Sequence, residues 1–135
     1  MGSRFTSDLG EMRSFMEAAK KLRSPDGAPV FFFDSYTNLR SVGKEAAGET
    51  GLDYLRNDLF LDNADDTEQM LKQLSALKFQ AKKYGFAAAI GHIQRKHIIE
   101  ALKIAIPEFR NEGLQFIHLS QMLKGIKEKD RKKDR

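Results

Sequence analysis

An apolar run that stops at a carboxylate constrains this chain more than any other feature: Phe31-Phe32-Phe33 gives way to Asp34-Ser35-Tyr36-Thr37. Apolar runs this short, set between segments of helical period, read as buried parallel strands. In α/β folds, ligands gather at the carboxyl ends of such strands, so a side chain that follows the run stands where chemistry is done. The pattern recurs at Phe86-Ala87-Ala88-Ala89-Ile90, which ends in Gly91-His92. One Asp and one His, each closing an apolar run, point to a shared site.

The remaining elements follow from periodicity and punctuation. Asp8 and Glu11 have capping-box spacing ahead of Leu9, Met12, Phe15, Met16, Ala19 and Leu22, an apolar helical stripe. Ser24-Pro25-Asp26-Gly27 is a turn, and a first strand is expected over 29–33. A helix over 39–50 closes at Gly51, and a short second strand falls at 53–55. Asp65 and Glu68 suggest a second capping box, followed by the stripe Met70, Leu74, Leu77, Ala81 and Tyr84. After the strand at 86–90, a helix carries Ile98, Ile99, Leu102, Ala105, Ile106 and Phe109, and Pro107 is expected to break or restart it. A last strand is expected at 114–119 and a closing helix from Ser120. Alternating strand and helix define an α/β class with a mostly parallel sheet. Only about four strands are present and the chain opens on a helix, so the sheet reads as incomplete at its start.

A chain of 135 residues supports one domain, with roughly two thirds of its surface buried. It contains no Cys, which excludes disulfides and thiolate metal sites. The formal charge of +4 is not spread over the domain: residues 124–135 hold seven basic and three acidic side chains, which leaves sixteen of each sign elsewhere. The tail reads as a solvated, frayed helix end beyond a domain at 1–123. No aromatic residue interleaves with its charges, so no nucleic acid is expected as a partner. No apolar stretch is long enough for a membrane span, and no export signal is visible.

Each candidate residue has a functional and a plainer reading. Asp34 is a metal ligand or general base, or else an Asx-turn or cap residue. His92 is a ligand or acid/base group, or else a partly buried imidazole bonded to backbone; Gly91 beside it permits close approach of a ligand. His97 reads as a surface residue within a helix, and His118 as structural within the last strand. Asp58, Asp62 and Asn63 lie in an oxygen-rich loop without the spacing of a calcium-binding EF-hand. Gly43-Lys44 lacks the spacing of a P-loop.

Taken together these segments resemble the divergent polysaccharide deacetylases. The resemblance rests on Met1-Gly2-Ser3-Arg4-Phe5-Thr6, on Asp34-Ser35-Tyr36-Thr37 with Ser41, and on Arg56-Asn57-Asp58-Leu59-Phe60-Leu61-Asp62-Asn63. It extends to Ala89-Ile90-Gly91-His92 and Leu119-Ser120-Gln121-Met122-Leu123. Two departures stand out: Ile93 replaces the Pro that usually follows Gly-His, and the Asp-pair strand and His that the family carries before Met-Gly-Ser are missing. The chain therefore resembles the C-terminal part of a longer domain.

The resemblance implies a partial, distorted (β/α) barrel of the carbohydrate-deacetylase type. It implies metal-assisted removal of N-acetyl groups from an amino-sugar glycan, in the cell envelope or periplasm. Asp34 and His92 would be the catalytic and metal-ligating residues, with a divalent metal, zinc above all, held weakly by so few ligands. Ser35, Thr37, Arg56, Asp58, Asp62 and Asn63 would orient them or the sugar. The competing expectation is a non-catalytic remnant of the fold that binds glycan or protein.

Overall fold

The computed structural model describes residues 2–133, so Met1 of the opening motif and the last two residues of the charged tail lie outside the described residues. The elements run α1 (Gly2–Phe5), α2 (Leu9–Ala19), β1 (Phe32–Asp34), α3 (Gly43–Thr50), β2 (Tyr54–Arg56), β3 (Leu59–Phe60), α4 (Thr67–Tyr84), β4 (Ala89–Ile90), α5 (Ile98–Asn111) and α6 (Leu119–Lys133). They group into two compact units, Met1–Arg56 and Asn57–Arg135. Each unit is built on one strand–helix–strand motif with a parallel pair, β1–β2 in the first and β3–β4 in the second. The class is α/β with parallel pairing, and the described strands form no closed barrel.

In the first unit, Met12, Met16 and Ala19 of α2 recur at helical spacing and are buried against Ala46 and Ala47 of α3 and against Leu52. Small alanines on α3 let the two helices approach closely, and each fully buried Met contributes roughly 1.5–3 kcal/mol by leaving water. Asp8 caps α2 by accepting from the Glu11 N–H at 3.0 Å, as the spacing predicts. Helix α3 begins at Gly43, later than expected, and ends at Gly51, whose φ of 70° supplies the left-handed cap. Lys20, the residue that closes α2, donates its Nζ to the Thr50 carbonyl at 2.6 Å, at the end of α3. Strands β1 and β2 align Phe32 with Tyr54, Phe33 with Leu55 and Asp34 with Arg56. Phe5, Phe15, Phe32 and Tyr54 form a chain of ring contacts, with neighbouring centroids 5.8 to 6.2 Å apart.

In the second unit, Met70 and Leu74 of α4 pack with Ala101, Ala105 and Phe109 of α5, together with Leu61 and Ile98. Lys78 of α4 bridges to Glu108 and Glu112 of α5 across the exposed rim. Pro107 does not interrupt α5, which is continuous from Ile98 to Asn111. Pro107 lies on the exposed face, where the carbonyl it fails to satisfy can be hydrated. The second cap is shifted by one residue from expectation: Asp66, not Asp65, accepts from the Gln69 N–H at 2.8 Å. Helix α6 continues through the charged segment as far as Lys133, with Gly125 against the ring of Phe86.

Two strand expectations are corrected. Residues 114–118 form no strand, because no ladder partner lies beside them among the described residues. Their apolar side chains turn to helix α5 instead: Phe116 stacks on Phe109 with centroids 5.9 Å apart, and Leu114 joins the same core. His118 is consequently an exposed residue preceding α6, whose N–H bonds to the Gln121 side chain. Conversely Leu59 and Phe60, expected in a polar loop, form β3 against Ala89 and Ile90.

Gly91 marks where this packing is tightest. A Cβ there would stand 2.2 Å from Cδ1 of Ile98, itself buried. Gly91→Ala is expected to cost about 1–3 kcal/mol by overpacking. Gly48→Ala, in α3 with open space around it, is expected to stabilise by about 0.5–1 kcal/mol. Urea denaturation of the two variants checks both signs.

Candidate functional site

Each unit presents side chains at the carboxyl end of its parallel pair, the edge where α/β proteins receive ligands. In the second unit the ladder continues past its last paired strand residues, since the Leu61 N–H donates to the Ile90 carbonyl at 2.8 Å. That bond carries the register forward and sets Asp62 beside His92. Asp62 is buried, with 3% of its side chain exposed, whereas the His92 side chain is 61% exposed. Oδ2 of Asp62 accepts the His92 backbone N–H at 2.7 Å and lies 3.0 Å from Nδ1 of its ring. Arg95 Nε stands 4.0 Å from the same oxygen. Burial pushes the Asp62 carboxyl up, but the hydrogen bonds from the His92 backbone and ring outweigh it and hold the group below its ordinary range. A carboxylate can only accept, so Nδ1 carries the proton and Nε2 is left as the exchangeable nitrogen.

A second carboxylate–imidazole pair lies nearby in sequence. His97 precedes α5 rather than lying within it, and it is half-buried rather than a surface residue. Its Nδ1 is 3.0 Å from the Asp65 carbonyl and 3.3 Å from Asp65 Oδ1. Asp65 is thus engaged by His97 while its neighbour Asp66 caps the helix. Asp58 also acts locally, its Oδ2 accepting the Ala88 N–H at 2.7 Å just ahead of β4. Asn57 is buried with its Oδ1 unpartnered among the described residues, and Asn63 is exposed.

In the first unit Asp34 ends β1 and is 3% exposed. Oδ1 accepts the Tyr36 N–H at 2.8 Å in an Asx-type turn. Oδ2 accepts the Ser41 hydroxyl at 2.6 Å and the Tyr54 hydroxyl at 3.1 Å. Burial, reinforced by Asp34, raises the Tyr54 phenol well above its ordinary pKa, so the phenol stays protonated and keeps donating. Gly43 is pressed against this carboxylate, since a Cβ there would lie 2.9 Å from Oδ2. Ser35 and Thr37 are exposed beyond the turn, and Arg56 is exposed with its guanidinium 4.8 Å from the Tyr36 ring centroid.

The structure therefore brings Asp62 to His92 and gathers Ser35, Tyr36, Thr37 and Arg56 around the turn at Asp34. Sequence reasoning missed Tyr54 and undervalued Ser41 and Asp65; the hydroxyl partners had no signal beyond their distance from a strand end. Among the described residues no three His, Asp or Glu side chains come together as a metal-ligating group. Asp34 would have to exchange a hydrogen bond for a metal, and His92 offers one free nitrogen. The described residues do not make up a complete ligand set.

Parallel strand pairs with a buried carboxylate at the carboxyl end, joined in the second unit by an imidazole, define an α/β protein. The family model described as divergent polysaccharide deacetylase matches residues 1–123, and the chain belongs to that family. An uncharacterized protein of Haemophilus influenzae is 30% identical over 127 residues, covering 94% of this chain and 42% of that protein. The uncharacterized protein YibQ of Escherichia coli is 29% identical over 92 residues, covering 68% of this chain and 27% of that protein. The crystal structure of an uncharacterized protein from Agrobacterium tumefaciens shares the fold with a TM-score of 0.76 at 20% identity, over 90% of this chain and 47% of that one. The chain thus spans less than half the length of each of these relatives.

The Asp62 charge has a consequence for pH. A carboxyl whose folded pKa lies below its unfolded value stabilises the fold above the unfolded pKa, and loses that contribution as pH falls through the folded value. The stability gap between wild type and Asp62→Asn should be widest near neutrality and close below about pH 4. Asp66→Ala, a lost cap, should cost about 1 kcal/mol. Denaturation at stepped pH measures the first, and a gap for Asp62→Asn that is flat with pH would rule out a role for its charge.

Proposed function

We propose that this chain is part of a hydrolase of the cell envelope that removes N-acetyl groups from an amino-sugar glycan. The observation that carries the reading is the Asp62–His92 pair at the carboxyl edge of β3 and β4. The buried carboxylate fixes the tautomer of His92 and steadies the imidazolium, so Nε2 can give a proton to the departing amine. This is the division of labour that an acid/base His and its orienting Asp show in other hydrolases. Asp34 would serve as the base or a metal ligand, giving up one of its present hydrogen bonds. Ser35, Thr37 and Arg56 would contact the sugar, with Asp58 and Asn63 shaping the loop around Asp62.

A divalent metal, zinc foremost, would supply an activated water and polarise the acetyl carbonyl. A catalytic zinc site normally takes three protein ligands, so Asp34 as the one ligand from this chain would hold the metal weakly. A second reading, glycan binding without turnover, is favoured by the absence of a three-residue metal-ligating group among the described residues.

Acetate release from N-acetylated chitooligosaccharides and peptidoglycan fragments, with zinc present, separates the two. The 135-residue chain alone is expected to turn over little or not at all. The same chain joined to the N-terminal portion of the Haemophilus influenzae relative is expected to release acetate, and His92→Ala to reduce the rate by about 10²–10⁴-fold. Calorimetric titration should show weak zinc binding by the chain, weaker still in Asp34→Asn. Chelator-sensitive turnover by the chain alone would overturn the incomplete-site argument, and an inactive extended protein would favour binding without turnover.

A further inference from the structure

Tyr36 has a backbone that a tyrosine rarely adopts. Its φ is +53°, and among the described residues it is the only non-glycine with a positive φ. The left-handed region disfavours side chains other than Gly, Asn and Asp. The buried carboxylate of Asp34 holds the conformation by accepting the Tyr36 N–H. Strain of this kind persists where the surrounding structure over-determines it, and it clusters at ligand-contacting positions. The fold could have used glycine here, as it does at Gly51, Gly85 and Gly113.

The strain delivers an aromatic ring to the carboxyl edge of the β1–β2 pair, beneath the guanidinium of Arg56. Arg56 is the register partner of Asp34, yet it forms no ion pair with that residue. Both oxygens of Asp34 are occupied by the Tyr36 N–H and the Ser41 and Tyr54 hydroxyls. No described carboxylate pairs with Arg56, which is exposed and held in place by the ring. A planar cation with an open fork is built for bidentate capture of a carboxylate. The half-buried Tyr36 ring under it adds apolar surface suited to the C–H face of a pyranose, and the exposed Ser35 and Thr37 flank Tyr36 in the chain.

We propose that Tyr36 and Arg56 form a subsite for a carboxylate-bearing sugar, so that the glycan is acidic. The proposal rests on the glycan reading above and adds a ligand chemistry to it. The guanidinium already lies over the ring, so binding orders little further.

The test is titration of the 135-residue chain with two disaccharides that differ by one lactyl ether. One is N-acetylglucosaminyl-N-acetylmuramic acid, the other N,N′-diacetylchitobiose. The acidic disaccharide is expected to bind at least tenfold more tightly, with the preference shrinking as salt is raised. Arg56→Gln should abolish the preference. Tyr36→Gly should weaken binding of the acidic sugar at least tenfold while its melting temperature stays level or rises, because glycine relieves the φ strain. Equal affinity for the two sugars, or binding of neither, overturns the proposal. So does Tyr36→Gly that binds like wild type, or one that melts several degrees lower, which would make Tyr36 a packing residue. Acetate release by the extended protein from neutral and acidic glycans alike would leave the hydrolase reading standing while this subsite fell.

Discussion

One backbone hydrogen bond, from the Leu61 N–H to the Ile90 carbonyl, fixes the geometry at the carboxyl end of the second unit's strands. It carries a very short parallel ladder one step beyond its strands. Without that step, Asp62 and His92 would belong to two independent loops. With it, the buried carboxylate meets both the backbone and the ring of His92. The arrangement is favourable because the penalty for burying Asp62 is offset by donors that the ladder already places. Gly91 belongs to the same solution, since Ile98 fills the volume a side chain would need.

The first unit handles a buried carboxylate differently. Asp34 meets two hydroxyls and a backbone N–H, all neutral donors. Its charge is spread over a network that fixes Tyr54 and the start of α3 near Gly43, and it forces the turn at Tyr36. Where Asp62 orients an imidazole, Asp34 orders a turn and two hydroxyls.

The strand-ending pattern made Asp34 and His92 visible in the sequence, because a run of apolar residues stopping at a polar one marks the ligand edge of a parallel sheet. Helices α2, α4 and α5 were legible for the same reason, each having an apolar stripe with caps or stops. The failures share a cause. Residues 114–118 alternate well enough for a strand, but strand identity depends on a partner that local sequence does not reveal, and Phe109 offered Phe116 a better surface. Leu59 and Phe60 are too few to register as a strand until Ala89 and Ile90 lie beside them. Adjacent Asp65 and Asp66 left the cap ambiguous by one residue, and only the position of His97 decides which carboxylate turns to the helix.

Lys20 joins two helix ends that are distant in sequence. It closes α2 with its backbone, and its ammonium covers the last carbonyl of α3 at Thr50. A cation at that position opposes the partial negative charge of the α3 terminus. Terminal turns usually fray separately, each at its own low free energy. Here the loosening of one end removes the charge that holds the other. Opening of either end therefore costs the other this contact, which couples two turns although thirty residues of chain separate Lys20 from Thr50.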